Sequence, residues 1–294
     1  MGYLRFNYRS LTLGKYVDIS IVYPTDGIAC KETEHTKKAI TSRESGSWAN
    51  YEAGMKFQTV YLLHGGGDDD TLTYRYTNAE RYAQDNRVML VTPNIANSFG
   101  ADTMYGVHYM TFITEELPTV IQSLFASSPK REDNFIVGYA MGGNVALAAA
   151  LIRPDRYKCC VDISGGIGMT LDTKTFSAEL EGDHFKKHFP LYNSTFGKGE
   201  DLPGSDFDIY SAAQKHKKSG AVLPKFYVVC GSEEFVRSRV EKDAQLLEEL
   251  GYDVEYICAE GYDHDFHMWD KYIKIALDDL LELKRDVIKP NEGC

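Results

Sequence analysis

One short run restricts the fold more than any other part of the chain: Phe135-Ile136-Val137-Gly138-Tyr139-Ala140-Met141-Gly142-Gly143. An apolar strand-like segment over 134–137 passes without a linker into a glycine-flanked turn. Residues 140–152 then continue as a helix of small residues that stops before Pro154. A strand that turns directly into a helix sends the chain back across its own sheet, which is the connection parallel sheets require. Gly138 and Gly142 stand two positions either side of Ala140, where the turn leaves no room for a Cβ, and Gly143 lets the helix pack close to the strand.

The rest of the chain repeats the alternation. Strand-like segments fall at 16–24, 59–63, 88–92, 159–163, 225–230 and 253–258, and helical ones at 78–85, 111–125, 238–250 and 270–283. The helix over 238–250 is closed by Gly251. In the last helix Ile273, Ala276, Leu277, Leu280 and Leu281 recur at the spacing of one buried face. The expected fold class is therefore α/β, a mostly parallel central sheet with helices on both faces. A polar stretch over 26–53 predicts a long exposed excursion. Residues 165–220 exceed what one crossover needs and are rich in charge, glycine and aromatics, which predicts an inserted cap beside the site. With no repeat, low-complexity tract or linker, residues 1–294 are expected to form a single domain.

Composition excludes several classes. The net charge is −11 and no basic stripe interrupts it, so a nucleic-acid partner is not expected. Hydrophobic content of 43% with 26% charged residues belongs to a globular chain, not a disordered one. The longest apolar run, 145–152, is far short of the roughly 20 residues of a membrane span. The opening residues Met1-Gly2-Tyr3-Leu4-Arg5-Phe6 hold no apolar signal core, and Phe6 occupies the Ser/Thr position of a myristoylation signal. Six cysteines make no CxxC pair, and Cys159, Cys160, Cys230 and Cys258 lie in apolar strand-like runs, where free thiols act as small hydrophobes. A reduced, cytoplasmic chain is the simplest expectation; a removed signal peptide would also fit.

The strand–turn–helix at 134–152 has the context of a nucleophile elbow, G-x-S-x-G, but its central residue is Ala140, which has no hydroxyl. A phosphate-binding turn is the plainer alternative, and the companions decide between them. Leu62-Leu63-His64-Gly65-Gly66-Gly67 puts glycines just beyond a strand, where backbone N–H groups can face a developing oxyanion. Gly66 and Met141 are the expected donors, Gly65 lines the substrate side, and His64 is read as stabilising its loop. The base is expected at His264 in Gly261-Tyr262-Asp263-His264-Asp265-Phe266-His267, with His267 as a packed or capping competitor. An acid should follow the strand at 225–230, and Glu234 is preferred to Glu233. Asp68-Asp69-Asp70 reads as a solvated acidic loop, because consecutive carboxylates do not converge on one ion. Phe99, Tyr105, Tyr109 and Phe266 are candidate cleft lining; tyrosines spread over core and surface would explain Tyr105 and Tyr109 equally well.

On these residues the chain resembles the putative-esterase family of α/β-hydrolases, which includes tributyrin and acetyl esterases, feruloyl esterases of carbohydrate esterase family one, S-formylglutathione hydrolases and mycolyltransferases. The likeness runs over about 3–283 and is carried by YLLHGGG, TNAERYAQDNRVMLVTPN, TEELPTVI, REDNFIVGYAMGGNVALAAALIRPDRY, DISGGI, VVCGSEEF and GYDHDFHMWD. The resemblance implies a serine esterase working through an acyl-enzyme, with no metal or organic cofactor. Its substrate would be a small ester, feruloyl or acetyl on plant-cell-wall oligosaccharides, with S-formylglutathione or generic short-chain esters as alternatives. Two positions depart from the family pattern: Glu234 stands where aspartate is usual, and Ala140 where serine is. Alanine removes covalent chemistry. With glycines, base and acid all kept and one oxygen lost, an engineered knock-out of an active esterase is the favoured explanation. The rival is a native, non-catalytic binding protein on a hydrolase scaffold.

Overall fold

The computed structural model describes residues 1–25, 53–103, 106–188 and 190–290. Its eight strands are β1 (Gly2–Arg9), β2 (Tyr16–Tyr23), β3 (Thr59–Leu63), β4 (Met89–Pro93), β5 (Asn134–Tyr139), β6 (Cys159–Ile163), β7 (Lys225–Gly231) and β8 (Val254–Ala259). They form one sheet in the order β1-β2-β4-β3-β5-β6-β7-β8. β2 pairs antiparallel with β1 and β4, and every pairing from β4 through to β8 is parallel. The chain starts at one edge, crosses to β3 and β5 in the middle, and moves outward to β8. The functional loops therefore gather at the C-terminal ends of β3, β5, β6, β7 and β8.

In chain order the main helices are α1 (Leu72–Tyr76), α2 (Ala79–Asp85), α3 (Leu117–Leu124), α4 (Met141–Ile152), α5 (Thr173–Glu181), α6 (Asp183–His188), α7 (Pro190–Phe196), α8 (Ile209–Ser219), α9 (Arg237–Glu249) and α10 (Phe266–Ile275). The apolar core splits into two layers divided by the sheet. Tyr61 and Leu63 of β3 face the layer holding α4 and α9, while Val60 and Leu62 face the layer holding α2 and α10. Central strands covered on both sides need apolar residues at every position, which is why they read as unbroken runs. All five residues of β3 and of β6 are buried.

Several elements differ from expectation for identifiable reasons. β1 was not expected as a strand; it is an edge strand with an exposed outer face, so its sequence lacks a buried run. α1, a single short helical turn after the aspartates, was likewise missed. The expected helix over 111–125 begins at Tyr109 and passes through a π-turn, Phe112–Glu116, before α3. α10 starts four residues ahead of the expected 270, because the Asp265 side chain caps it by accepting from the N–H groups of His267 and Met268. Cys159, Cys160 and Cys230 are buried, but Cys258 is exposed, since edge strand β8 is covered incompletely. The 165–220 excursion folds into α5 to α8. The polar stretch at 26–53 lies outside the described residues except for Ala53. Among the described residues no helix is long and apolar enough to cross a membrane.

Candidate active site

β5 delivers the chain to Ala140, which carries φ +51° and ψ −124°, and α4 starts at the next residue. Positive φ is uncommon for a residue with a Cβ and costs on the order of 1–3 kcal/mol unless the surroundings enforce it. They do so here. A Cβ on Gly138 would run into the backbone of Gly142, one on Gly142 into the Leu63 and His64 carbonyls, and one on Gly143 into the Asp162 carboxyl. The Ala140 N–H donates to Ile163 O at 2.9 Å, tying the turn to β6. The elbow is thus set by backbone packing, and the Ala140 side chain, a single methyl, is left facing the cavity.

The acid–base side is assembled from three separated loops. His264 Nδ1 lies 2.7 Å from Glu234 Oε2. A carboxylate can only accept, so Nδ1 carries the proton and Nε2 is left as the acceptor nitrogen of the neutral ring. Glu234 is buried, and its other oxygen, Oε1, accepts from the Gly231 N–H at 2.8 Å and from the Ser164 hydroxyl at 2.7 Å. Glu233 is exposed, and its carboxylate accepts from the neighbouring Ser232 hydroxyl at 3.0 Å. His267 is exposed at the start of α10, its N–H donating to Asp265. The structure brings Glu234 and His264 together, while Glu233 and His267 are exposed outside that pair.

Ala140, His264, Gly65, Gly66 and Met141 line one cavity of about 480 Å³, walled by Phe99, Ile167, Leu191, Phe266 and Trp269, with Asp68 and Asn97 as polar neighbours. Asn97 accepts the Gly67 N–H at 2.6 Å, holding the glycine loop in place. His64 sits beneath that loop: Nε2 accepts the Ile95 N–H at 2.9 Å, so Nδ1 donates to Gly65 O at 2.8 Å. Burial pushes its pKa down, consistent with a neutral ring holding a loop.

The three aspartates are not a solvated loop. Asp68 accepts from the Tyr139 hydroxyl at 2.9 Å, and burial pushes its pKa up. Asp69 takes the Thr71 hydroxyl and N–H and the Leu72 N–H. Asp70 is buried against Ser20, at 2.7 Å, and Arg5. They point apart, and among the described residues no group of three or more His, Cys, Asp or Glu could hold a metal ion.

Of the expected aromatic lining, Phe99 and Phe266 face the cavity. Tyr109 does not: it is buried in the core, and its hydroxyl accepts from Lys15 at 2.8 Å, because the helical turn it opens packs inward. Tyr105 lies outside the described residues. Trp269, Ile167 and Leu191 were missed. Trp269 was legible in hindsight, standing five residues after His264 on the same helix entry; the other two come from residues 165–220, which carry no local motif.

Strand order and elbow together define an α/β-hydrolase with the layout of a carboxylic-ester hydrolase. The chain belongs to the putative esterase family: the family model described as "Putative esterase" matches residues 48–275. An acetyl esterase from Caldicellulosiruptor saccharolyticus is 26% identical over 279 residues, covering 95% of this chain and 97% of the relative. An S-formylglutathione hydrolase from Bos taurus is 26% identical over 169 residues, 55% of this chain and 52% of that protein. The solved structure of a fluorophosphonate-binding serine hydrolase, FphF of Staphylococcus aureus, superposes with a TM-score of 0.75 at 25% identity, covering 96% of this chain and 98% of that one. The enzyme class is carboxylic-ester hydrolase.

Proposed function

We propose that this protein, with serine at position 140, hydrolyses small carboxylic esters through an acyl-enzyme, and that Ala140 is a knock-out of the nucleophile. The observation that carries the reading is the Glu234–His264 pair, closed at 2.7 Å, opening onto the same cavity as the strained elbow. A binding protein has no use for a carboxylate-paired imidazole lining the same cavity as an alanine held at φ +51°.

In the proposed mechanism, a serine hydroxyl at 140 attacks the ester carbonyl while His264 Nε2 takes its proton. The N–H groups of Gly66 and Met141 hold the tetrahedral oxyanion, each worth roughly 3–4 kcal/mol. His264 returns the proton to the leaving alcohol, and water then repeats the sequence on the acyl group. Glu234 keeps the proton of His264 on Nδ1 and stabilises the imidazolium.

For substrate we propose acetyl or feruloyl esters of plant-cell-wall oligosaccharides. The cavity walls are mainly apolar, as an acyl group requires, and the nearly full-length likeness to an acetyl esterase favours the smaller acyl. The Asp68 carboxyl at the cavity and the net charge of −11 disfavour anionic esters, S-formylglutathione among them. We take the whole chain as one catalytic unit with α5 to α8 as its cap. A reducing, cytoplasmic setting fits the free thiols of Cys159, Cys160 and Cys230. The test is Ala140→Ser assayed on p-nitrophenyl acetate, methyl ferulate and S-formylglutathione. Turnover of the first two well above the alanine protein is expected; no gain on any of the three would overturn the reading in favour of a native binding protein.

A further inference from the structure

Ser164 stands at the end of β6 with φ +57°, a left-handed conformation, although glycines follow it immediately at 165 and 166. It is fully buried, and its N–H is fixed to Val229 O at 2.7 Å. Two polar groups meet its Oγ: Glu234 Oε1 at 2.7 Å and Trp269 Nε1 at 3.0 Å, with Met268 Sδ more distant at 3.8 Å. An indole N–H can only donate, so Oγ accepts from Trp269 and its own proton is directed to the Glu234 carboxylate. Trp269 in turn stands edge-on to the His264 ring, centroids 5.0 Å apart at 89°. One hydroxyl therefore fixes both the acid and the wall against which the base rests.

We propose that Ser164 is a positioning residue for the acid–base pair, its hydroxyl holding the Glu234 rotamer and charge and pinning Trp269 against His264. The inference rests on the ester-hydrolase reading for its effect on rate, but not for the geometry. Glutamate is one methylene longer than the aspartate usual at this place and has one more torsion to fix. Gly231 supplies one anchor to Oε1 and Ser164 the second. A strained backbone kept at a buried serine, where glycine would sit without strain, points to the hydroxyl as the reason.

Other charges around His264 are Asp68 across the cavity, Asp263 and Asp265 on its own loop, and Asp162 behind Glu234. None of them touches Ser164 Oγ, so removing that hydroxyl reaches His264 through Glu234 and through Trp269, and of these two only Glu234 carries charge. A carboxylate that loses a donor keeps more of its negative charge for the imidazolium, and the His264 pKa should rise.

The experiment compares Ser164→Ala and Ser164→Gly, each made both in the Ala140 protein and together with Ala140→Ser. In the serine-restored pair kcat/KM on p-nitrophenyl acetate should fall about 10- to 100-fold with KM little changed, in keeping with the loss of one positioning hydrogen bond, and the acidic limb of the profile should move to higher pH. In the Ala140 protein an NMR titration should show His264 taking up its proton at higher pH in both variants. If glycine, which relieves the strain, restores full rate, or if the limb and the His264 titration stay where they were, the role is structural and the proposal fails. If Ala140→Ser alone gives no turnover, the ester-hydrolase reading fails instead, and the NMR titration still decides on Ser164.

Discussion

The two halves of the site are built by opposite means. The elbow is fixed by what its residues lack: Gly138, Gly142 and Gly143 lie so close to neighbouring backbone or carboxyl that no side chain fits, and Ala140 is carried into its strained conformation by that packing. The acid–base half is fixed by side chains, with Glu234, Ser164, Trp269 and His264 linked one to the next from β6, the loop after β7 and the start of α10. A backbone-built half keeps its shape when its reactive atom is removed. A half built from hydrogen bonds loses activity by an amount that depends on which donor or acceptor changes.

That contrast can be broken at several points. The largest effect should come from the elbow's frame. Gly142→Ala would drive a Cβ into the Leu63 and His64 carbonyls, which are backbone and cannot yield, so loss of the fold is expected, seen as failure to recover a cooperative thermal transition. Recovery of a normally stable Gly142→Ala protein would show that the elbow is looser than its packing implies.

Next in size is Glu234→Gln in the Ala140→Ser background. The amide keeps the shape but donates where the carboxylate accepted, which forces the His264 proton onto Nε2, facing the nucleophile. A fall of about 10⁴-fold in kcat with an unchanged melting temperature is expected, as the tautomer argument requires. A melting temperature that falls with the rate would mean that the pair also holds the fold.

Smaller again is a pH effect at a buried carboxyl outside both halves. Buried Asp243 accepts from the Thr170 hydroxyl at 2.5 Å and the Leu171 N–H at 2.9 Å, tying the segment before α5 to α9. Burial raises its pKa from 3.8 to about 6. In the unfolded chain it ionises first, so the folded state loses stability as pH rises from about 4 to 6 and is level above that. The loss amounts to about 3 kcal/mol. Asp243→Asn should remove that slope, leaving the parent relatively more stable near pH 4 and the gap smaller or reversed at pH 7, as urea unfolding at both pH values would measure. The smallest effect is Ala140→Ser on stability, expected within about 0.5 kcal/mol because the added hydroxyl projects into the cavity and the backbone there is already set.

The same contrast explains what could be read from sequence. The elbow is local: glycines at fixed offsets after an apolar strand announce both the turn and the parallel sheet it belongs to, and the central strands were legible for the same reason, as in β3 and β6. Glu234 and His264 could be chosen by their order along the chain and their place after β7 and β8. Ser164 could not, because nothing within five residues of it hints that Glu234 and Trp269 will converge there. Tyr109 was misjudged as cleft lining because aromatic content does not say which face of a helical turn is buried. The edge strands β1 and β8 failed to match a buried pattern, which is why β1 was missed and Cys258 was read as a core thiol.

The central claim is that only one oxygen atom separates this chain from covalent catalysis. Intact-protein mass spectrometry of Ala140→Ser after brief exposure to p-nitrophenyl acetate tests it most directly. An acetyl adduct on Ala140→Ser, located by digestion to the peptide containing position 140 and absent from the alanine protein, is the expected result. An unmodified peptide at position 140, with the acetyl group elsewhere or nowhere, would contradict it.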